Sequence, residues 1–198
     1  MKIPTFLIKI DESDEGVQFV SLVESPAIEQ NFLAFSKAES IKFSENPQKR
    51  ILTGALMLAN TPIKRKDKDR GLYYVIFTPE TIEKMVMRFF KQNNIRNVNI
   101  EHSADVEGVY MFESYIINKS RGINAPNEFK DIPDGSWFGS YKIENESVWQ
   151  NRNEFKGFSI EGYFGLEPMV DESQDEDIDE PALEDFMKSL NDFLQTIH

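Results

Sequence analysis

The chain contains no cysteine and only two histidines, one of which, His198, is its last residue. The first absence excludes disulfides, thiolate metal sites and a cysteine nucleophile. The second leaves His102 as the one imidazole inside the body of the chain that can serve as a general base. Without thiols or a second internal histidine, a metal site would have to be built from carboxylates, and their spacings match no known loop. The acidic run 171–180 has no glycine for the sharp turn of an EF-hand. Neither a metal nor another cofactor is therefore expected. Apolar runs stay well short of the roughly 18 residues of a membrane span. The N-terminal stretch Met1–Ile10 is too short and too soon followed by acids to be expected to act as a signal peptide.

Positive charge is also scarce. Lys and Arg number 22 against 34 Asp and Glu, for a net charge of −12. Ten of the acids and a single base, Lys188, fall in residues 171–198, which carry −9 and leave −3 for residues 1–170. A nearly neutral body gives no sign of nucleic-acid binding, which requires a basic face to neutralise phosphates. The one basic cluster, Lys64 to Arg70, reads as a solvated loop.

What is abundant is apolar. Forty per cent hydrophobic residues, including 16 Phe, support a folded core in a chain of 198 residues. Apolar runs predict strands over Val17–Val23, Ile51–Leu58, Leu72–Phe77, Val98–His102, Gly108–Ile117, Ser136–Ile143 and Lys156–Leu166. Thr78-Pro79 opens a helix whose buried face is Ile82, Met85, Val86, Phe89 and Phe90. A long loop covers Asn118 to Gly135. The fold class read from this order is α+β, mostly β, with a barrel-like sheet surrounded by a few helices. The expected domain plan is a body over 1–170, an acidic linker over 171–180 and an amphipathic helix over 181–198, with Leu183, Phe186, Met187, Leu190, Phe193, Leu194 and Ile197 on one stripe.

Chemistry concentrates at Gly157-Phe158-Ser159-Ile160-Glu161-Gly162, which lies 57 residues beyond His102. A serine hydroxyl needs a base during attack, and imidazole titrates in the right range to provide one. The second glycine stands three residues past the serine, so the Gly-x-Ser-x-Gly elbow of α/β-hydrolases is not matched. Read from composition alone, Ser159 and His102 could equally be structural. Trp137 and Trp149 read as packing residues, and Gly135 and Gly139 as candidate surroundings of an oxyanion.

Five blocks in order carry a resemblance: Phe19–Ile28, Gly54–Asn60 with Tyr73–Thr78, Asn99–His102 with Val109–Ile116, Pro133–Trp137, and Gly157–Phe164. Together they resemble the prohead (procapsid maturation) serine proteases of tailed phages, and more closely a subgroup of prophage serine proteases. That family is similar to the herpesvirus assembly proteases. The resemblance spans roughly residues 15–168 and implies a serine endopeptidase of capsid maturation that cleaves scaffold and capsid propeptides, and itself. It places Ser159 at the nucleophile and His102 at the base. Glu113 is the candidate for the third role, within the block that matches the strand after the histidine. Glu161 shares a strand face with Ser159, and Glu101 adjoins the base. Many relatives carry a Pro-Ala strand after the serine with an acid just before it. Here the comparable strand comes first, with Phe19 or Gln18 at the acid's place. Implied partners are phage scaffold and major capsid protein, with a homodimer by analogy to the herpesvirus enzymes and no nucleic acid or membrane. The implied location is the host bacterial cytoplasm, inside the procapsid. The alternative is a catalytically silent assembly or scaffold-binding protein of the same fold. A cytosolic peptidase unrelated to capsids would suit the serine and histidine but leave the ordered blocks unexplained.

Overall fold

Among the described residues the strands form three short antiparallel or mixed sheets, none closed into a barrel. The computed structural model describes residues 3–11, 14, 16–24 and 43–169. The expected acidic linker and C-terminal helix lie outside them. The strands in chain order are β1 (Thr5–Lys9), β2 (Gly16–Val23), β3 (Ser44–Asn46), β4 (Ile51–Met57), β5 (Ile63–Asp67) and β6 (Gly71–Ile76). They continue with β7 (Val98–Ile100), β8 (Ala104–Asp105), β9 (Val109–Ile116), β10 (Trp137–Ile143), β11 (Gly157–Tyr163) and β12 (Gly165–Pro168). The described helices are α1 (Pro79–Lys91) and the short α2 (Glu146–Gln150). The sheets run β12-β1-β6-β5, β3-β4-β10-β9 and β11-β2-β7-β8.

The mostly β class agrees with the sequence reading; the barrel does not. One reason lies in the expected strand Lys156–Leu166, which divides at Phe164. Its first part pairs with β2 and its second crosses to pair antiparallel with β1 in another sheet. That division leaves β11 as an edge strand and the sheet open. A second correction concerns the basic cluster. Lys64, Arg65 and Lys66 lie in β5, hairpinned onto β6, where a loop was expected.

Helix α1 follows its sequence signals. The Thr78 hydroxyl accepts from the Thr81 amide, and Pro79 occupies the first turn, where its missing N–H costs nothing. Ile82, Met85 and Phe89 are fully buried, with Phe89 edge-on to Trp137 at 5.3 Å between ring centroids. Phe90 departs from expectation and is exposed, so the apolar stripe is narrower than its spacing suggested. Arg88 anchors the helix by donating to the carbonyl oxygens of Asp11 (2.8 Å) and Asp14. Inside the expected loop 118–135, Phe129 and Ile132 fold back onto Phe138, Leu58 and Ile117 as a separate apolar cluster.

Strand β2 lies inside its sheet, between β11, antiparallel, and β7, parallel, and is buried along most of its length. Such doubly covered strands read as continuous apolar runs. Within the run Val20–Val23 the sole polar residue is Ser21, which is completely buried.

Where β11 opposes β2, the register shifts between Glu161 and Gly162. A Cβ at Gly162 would lie 2.0 Å from the Gly16 carbonyl oxygen and 2.7 Å from the Phe164 ring. The obstacle is backbone and cannot rotate aside. Gly162→Ala is expected to lower unfolding free energy by about 3 kcal/mol or more, read from urea unfolding. A loss under about 1 kcal/mol would mean that the two strands can separate there at little cost.

Candidate active site

Ser159 is held by its neighbours. Phe158 is buried against Tyr141 and Phe43, with ring centroids 4.8 and 4.5 Å away, and Ile160 packs on the same core. Strand alternation then turns Ser159 and Glu161 to the opposite face. Across the ladder Ser159 is paired with Ser21 and Glu161 with Phe19, while Ser21 is paired with Asn99 on β7. Three adjacent strands thus present Ser159, Glu161, Ser21 and Asn99 on one face.

His102 reaches this face from a turn. The expected strand Val98–His102 stops at Ile100, and Glu101 and His102 both adopt left-handed backbone, with φ of 50° and 56°. The turn joins β7 to β8 and is tied down by the Glu101 amide to the Leu22 carbonyl (3.1 Å). The Glu24 amide in turn donates to the Glu101 carboxylate (2.6 Å), which accounts for the residue beside the histidine. Two successive non-glycine residues in this region cost of order 1–3 kcal/mol each, and such strain concentrates at functional positions.

The imidazole meets a carboxylate there. His102 Nδ1 lies 3.1 Å from Glu161 Oε1 and 3.0 Å from the Ser21 hydroxyl. Ser21 donates to Glu161 Oε1 at 2.6 Å, and Asn99 Nδ2 donates to the same oxygen at 2.6 Å. Ser21 has one proton and gives it to the carboxylate. Nδ1 therefore faces two oxygen acceptors and carries the ring proton, which leaves the Nε2 lone pair as the base. Burial pushes the Glu161 carboxyl up. Hydrogen bonds from Ser21, Asn99 and His102, together with the imidazole charge, outweigh that and hold it below the ordinary carboxylate range. The His102 and Glu161 side chains remain 43% and 31% exposed, so the pair can be reached from outside.

Ser159 is 8% exposed, and its hydroxyl makes no hydrogen bond among the described residues. It borders a recess of about 10 Å³ between Met57, Phe77 and Arg65. A larger cleft of about 800 Å³, lined by Phe19, Tyr73, Glu161 and Phe164 among others, opens alongside. Glu113 sits elsewhere, exposed on β9 in a different sheet, where its carboxylate accepts from the Ser140 hydroxyl. The carboxylate beside the imidazole is Glu161. Gly139 packs in β10 against Leu56 and Met111, and Gly135 turns against Pro79.

The family model described as "Putative phage serine protease XkdF" matches residues 37–166, about two thirds of the chain. The chain belongs to this phage serine protease family. No curated protein and no solved structure matches it. The matched span takes in His102, Ser159, Glu161 and Glu113, and begins after Ser21. The sequence brings forward Ser159, His102 and Glu161 but not Ser21 or Asn99. The one signal of those two is a polar residue opposite each other's position in otherwise apolar strands, and only the pairing register reveals it. Among the described residues no cluster of His, Asp and Glu could hold a metal, and no helix is long and apolar enough to cross a membrane.

Proposed function

We propose that this protein is the serine endopeptidase of phage capsid maturation, with Ser159 as nucleophile, His102 as base and Glu161 as the carboxylate that orients it. The observation that carries the reading is the imidazole held by Glu161 at Nδ1, one cross-strand step from Ser159. Directly opposed residues in a ladder keep their Cβ atoms about 4.5–5.5 Å apart, and Ser21, opposite Ser159, touches the imidazole. Substrate binding that turns Nε2 toward Ser159 completes the pair.

In the reaction, Ser159 Oγ attacks the scissile carbonyl carbon while His102 Nε2 takes the hydroxyl proton. The tetrahedral intermediate collapses, the C–N bond breaks, and His102 delivers that proton to the leaving amine. Water, deprotonated by His102, then hydrolyses the acyl-enzyme and restores the serine. Glu161 stays ionised and stabilises the imidazolium, and Ser21 and Asn99 keep the carboxylate in place.

The substrates proposed are phage scaffold and major capsid propeptides, with self-cleavage in addition, inside the procapsid in the bacterial cytoplasm and with a homodimer as the working assembly. Intact-mass analysis of wild type and Ser159→Ala, each incubated alone and with candidate scaffold or capsid protein, tests this. Truncation confined to wild type is the expected result. Truncation by both proteins would remove Ser159 from the mechanism.

A second reading, a silent assembly protein, is favoured by one observation: the bonds of the His102 ring go to Ser21 and Glu161 and none to Ser159. A serine-directed acylating probe separates the two, since a silent protein takes up no label. The acidic segment 171–198 is proposed to direct the protease to scaffold. Its deletion should leave cleavage of free substrate intact and reduce incorporation into particles severalfold; unchanged incorporation would dismiss the targeting role.

A further inference from the structure

The cleft beside Glu161 has one cationic wall residue. Its apolar lining includes Ile8 of β1, Val75 of β6, Phe77 just after β6 and Ile160 of β11, and Arg65 of β5 also lines it. Arg65 also lines the small recess bordered by Ser159, so the same guanidinium adjoins both the cleft and the proposed nucleophile. Among the described residues it forms no ion pair and no hydrogen bond with a carboxylate. Burial pushes its pKa down from the ordinary arginine value.

A half-buried guanidinium with no carboxylate bonded to it among the described side chains is an expensive arrangement, because the cation has lost water. Its planar fork of five donors is best satisfied by a carboxylate, which it can bind through two parallel bonds. Attraction by the overall field does not provide this, since residues 1–170 carry −3. Any preference for an acidic group must therefore be local. The cleft is walled on the β11 side by Ile160 to Phe164, so a side chain of a bound peptide that enters it passes Glu161 and meets Arg65.

We infer that Arg65 determines specificity by binding the side-chain carboxylate of an Asp or Glu in the substrate peptide, close to the scissile bond. The inference rests on the endopeptidase reading and assigns its substrate class: peptides with an acidic residue next to the cut.

The test uses pools of acetylated, amidated decapeptides, randomised except for one position fixed as Glu or as Gln, with a free-carboxyl version of the Gln pool as a third arm. Wild type is expected to cleave the Glu pool about 10- to 100-fold faster than the Gln pool, the range for one charge-assisted pair. Arg65→Gln should bring that ratio close to one, and Arg65→Lys, which keeps the charge and loses the fork, should give an intermediate ratio. Wild-type cleavage indifferent to Glu, a preference that survives in Arg65→Gln, or a preference only for the free-carboxyl pool would each overturn the inference while leaving the protease reading intact.

Fluorescence anisotropy of the same pools with Ser159→Ala, and with Ser159→Ala/Arg65→Gln, gives the independent arm. Tighter binding of the Glu pool that depends on Arg65, with no cleavage by wild type, would reject the endopeptidase and retain the acid-binding cleft. Equal binding of both pools would reject the cleft.

Discussion

Ser159→Ala is expected to remove essentially all cleavage, on the order of 10⁴-fold or more in kcat, and all covalent labelling by an acylating probe. One serine, Ser21, contacts the imidazole, and Ser159 lies opposite it across the ladder. Ser21 is the hydroxyl within bonding distance of His102, but it is on the wrong side of the ring. It lies at Nδ1 with Glu161, gives its proton to the carboxylate and is completely buried between two strands. A substrate carbonyl cannot approach it. Ser159 is on the edge strand, its hydroxyl makes no hydrogen bond among the described residues, and it borders a recess beside the cleft. Ser21→Ala should therefore keep the label on Ser159 and slow turnover by about 10- to 100-fold through loss of one hydrogen bond to a charged group. Peptide mapping of the labelled protein decides the matter. A label on Ser21, or Ser159→Ala with wild-type turnover, would transfer the nucleophile's role to β2.

Much of this site is legible from the chain because its parts sit in strong local patterns. The strand around Ser159 follows from flanking apolar residues, and the choice of His102 as the candidate base follows from the scarcity of histidine itself. Helix α1 is legible from its cap and its spacing. Two things are not. Left-handed backbone at Glu101 and His102 is invisible in residue types that ordinarily avoid it, so His102 reads as the end of a strand when it belongs to a turn. Lys64 to Lys66 read as a solvated loop because charge dominates the segment. That Arg65 faces the cleft becomes meaningful only once β6 is paired beside it.

The carboxylate shows the limit most clearly. The resemblance to prohead proteases puts Phe19 or Gln18 of this chain at the place where an acid is expected. The register sets Phe19 directly opposite Glu161, so the carboxylate on this face comes from β11 and not from β2. Strand faces can be inferred from one sequence, since Ser159 and Glu161 differ by two residues. Which strand lies next to which cannot, and that fact separates Glu161 from Glu113.

Glu161→Gln is accordingly expected to lower kcat by about 10²- to 10⁴-fold with little change in substrate binding, while Glu113→Gln, whose partner is Ser140 in another sheet, stays near wild type. The isostere preserves shape and removes the charge that stabilises the imidazolium. Its amide can also rotate an N–H toward Nδ1, which forces the ring proton onto Nε2 and occupies the lone pair that should accept from serine. Stability gives an independent reading of the same group. The Glu161 carboxyl is held below its ordinary value in the folded protein, so its contribution is fully present above the unfolded pKa and is lost as pH falls through the lower folded one. The gap in unfolding free energy between wild type and Glu161→Gln should thus close as the medium is acidified below about 4.5, the ordinary value for Glu. Urea unfolding at a series of pH values measures that gap. A gap that stays open in acid would mean Glu161 is not held ionised by Ser21, Asn99 and His102, and wild-type kcat in Glu161→Gln would return the third role to a carboxylate outside this network.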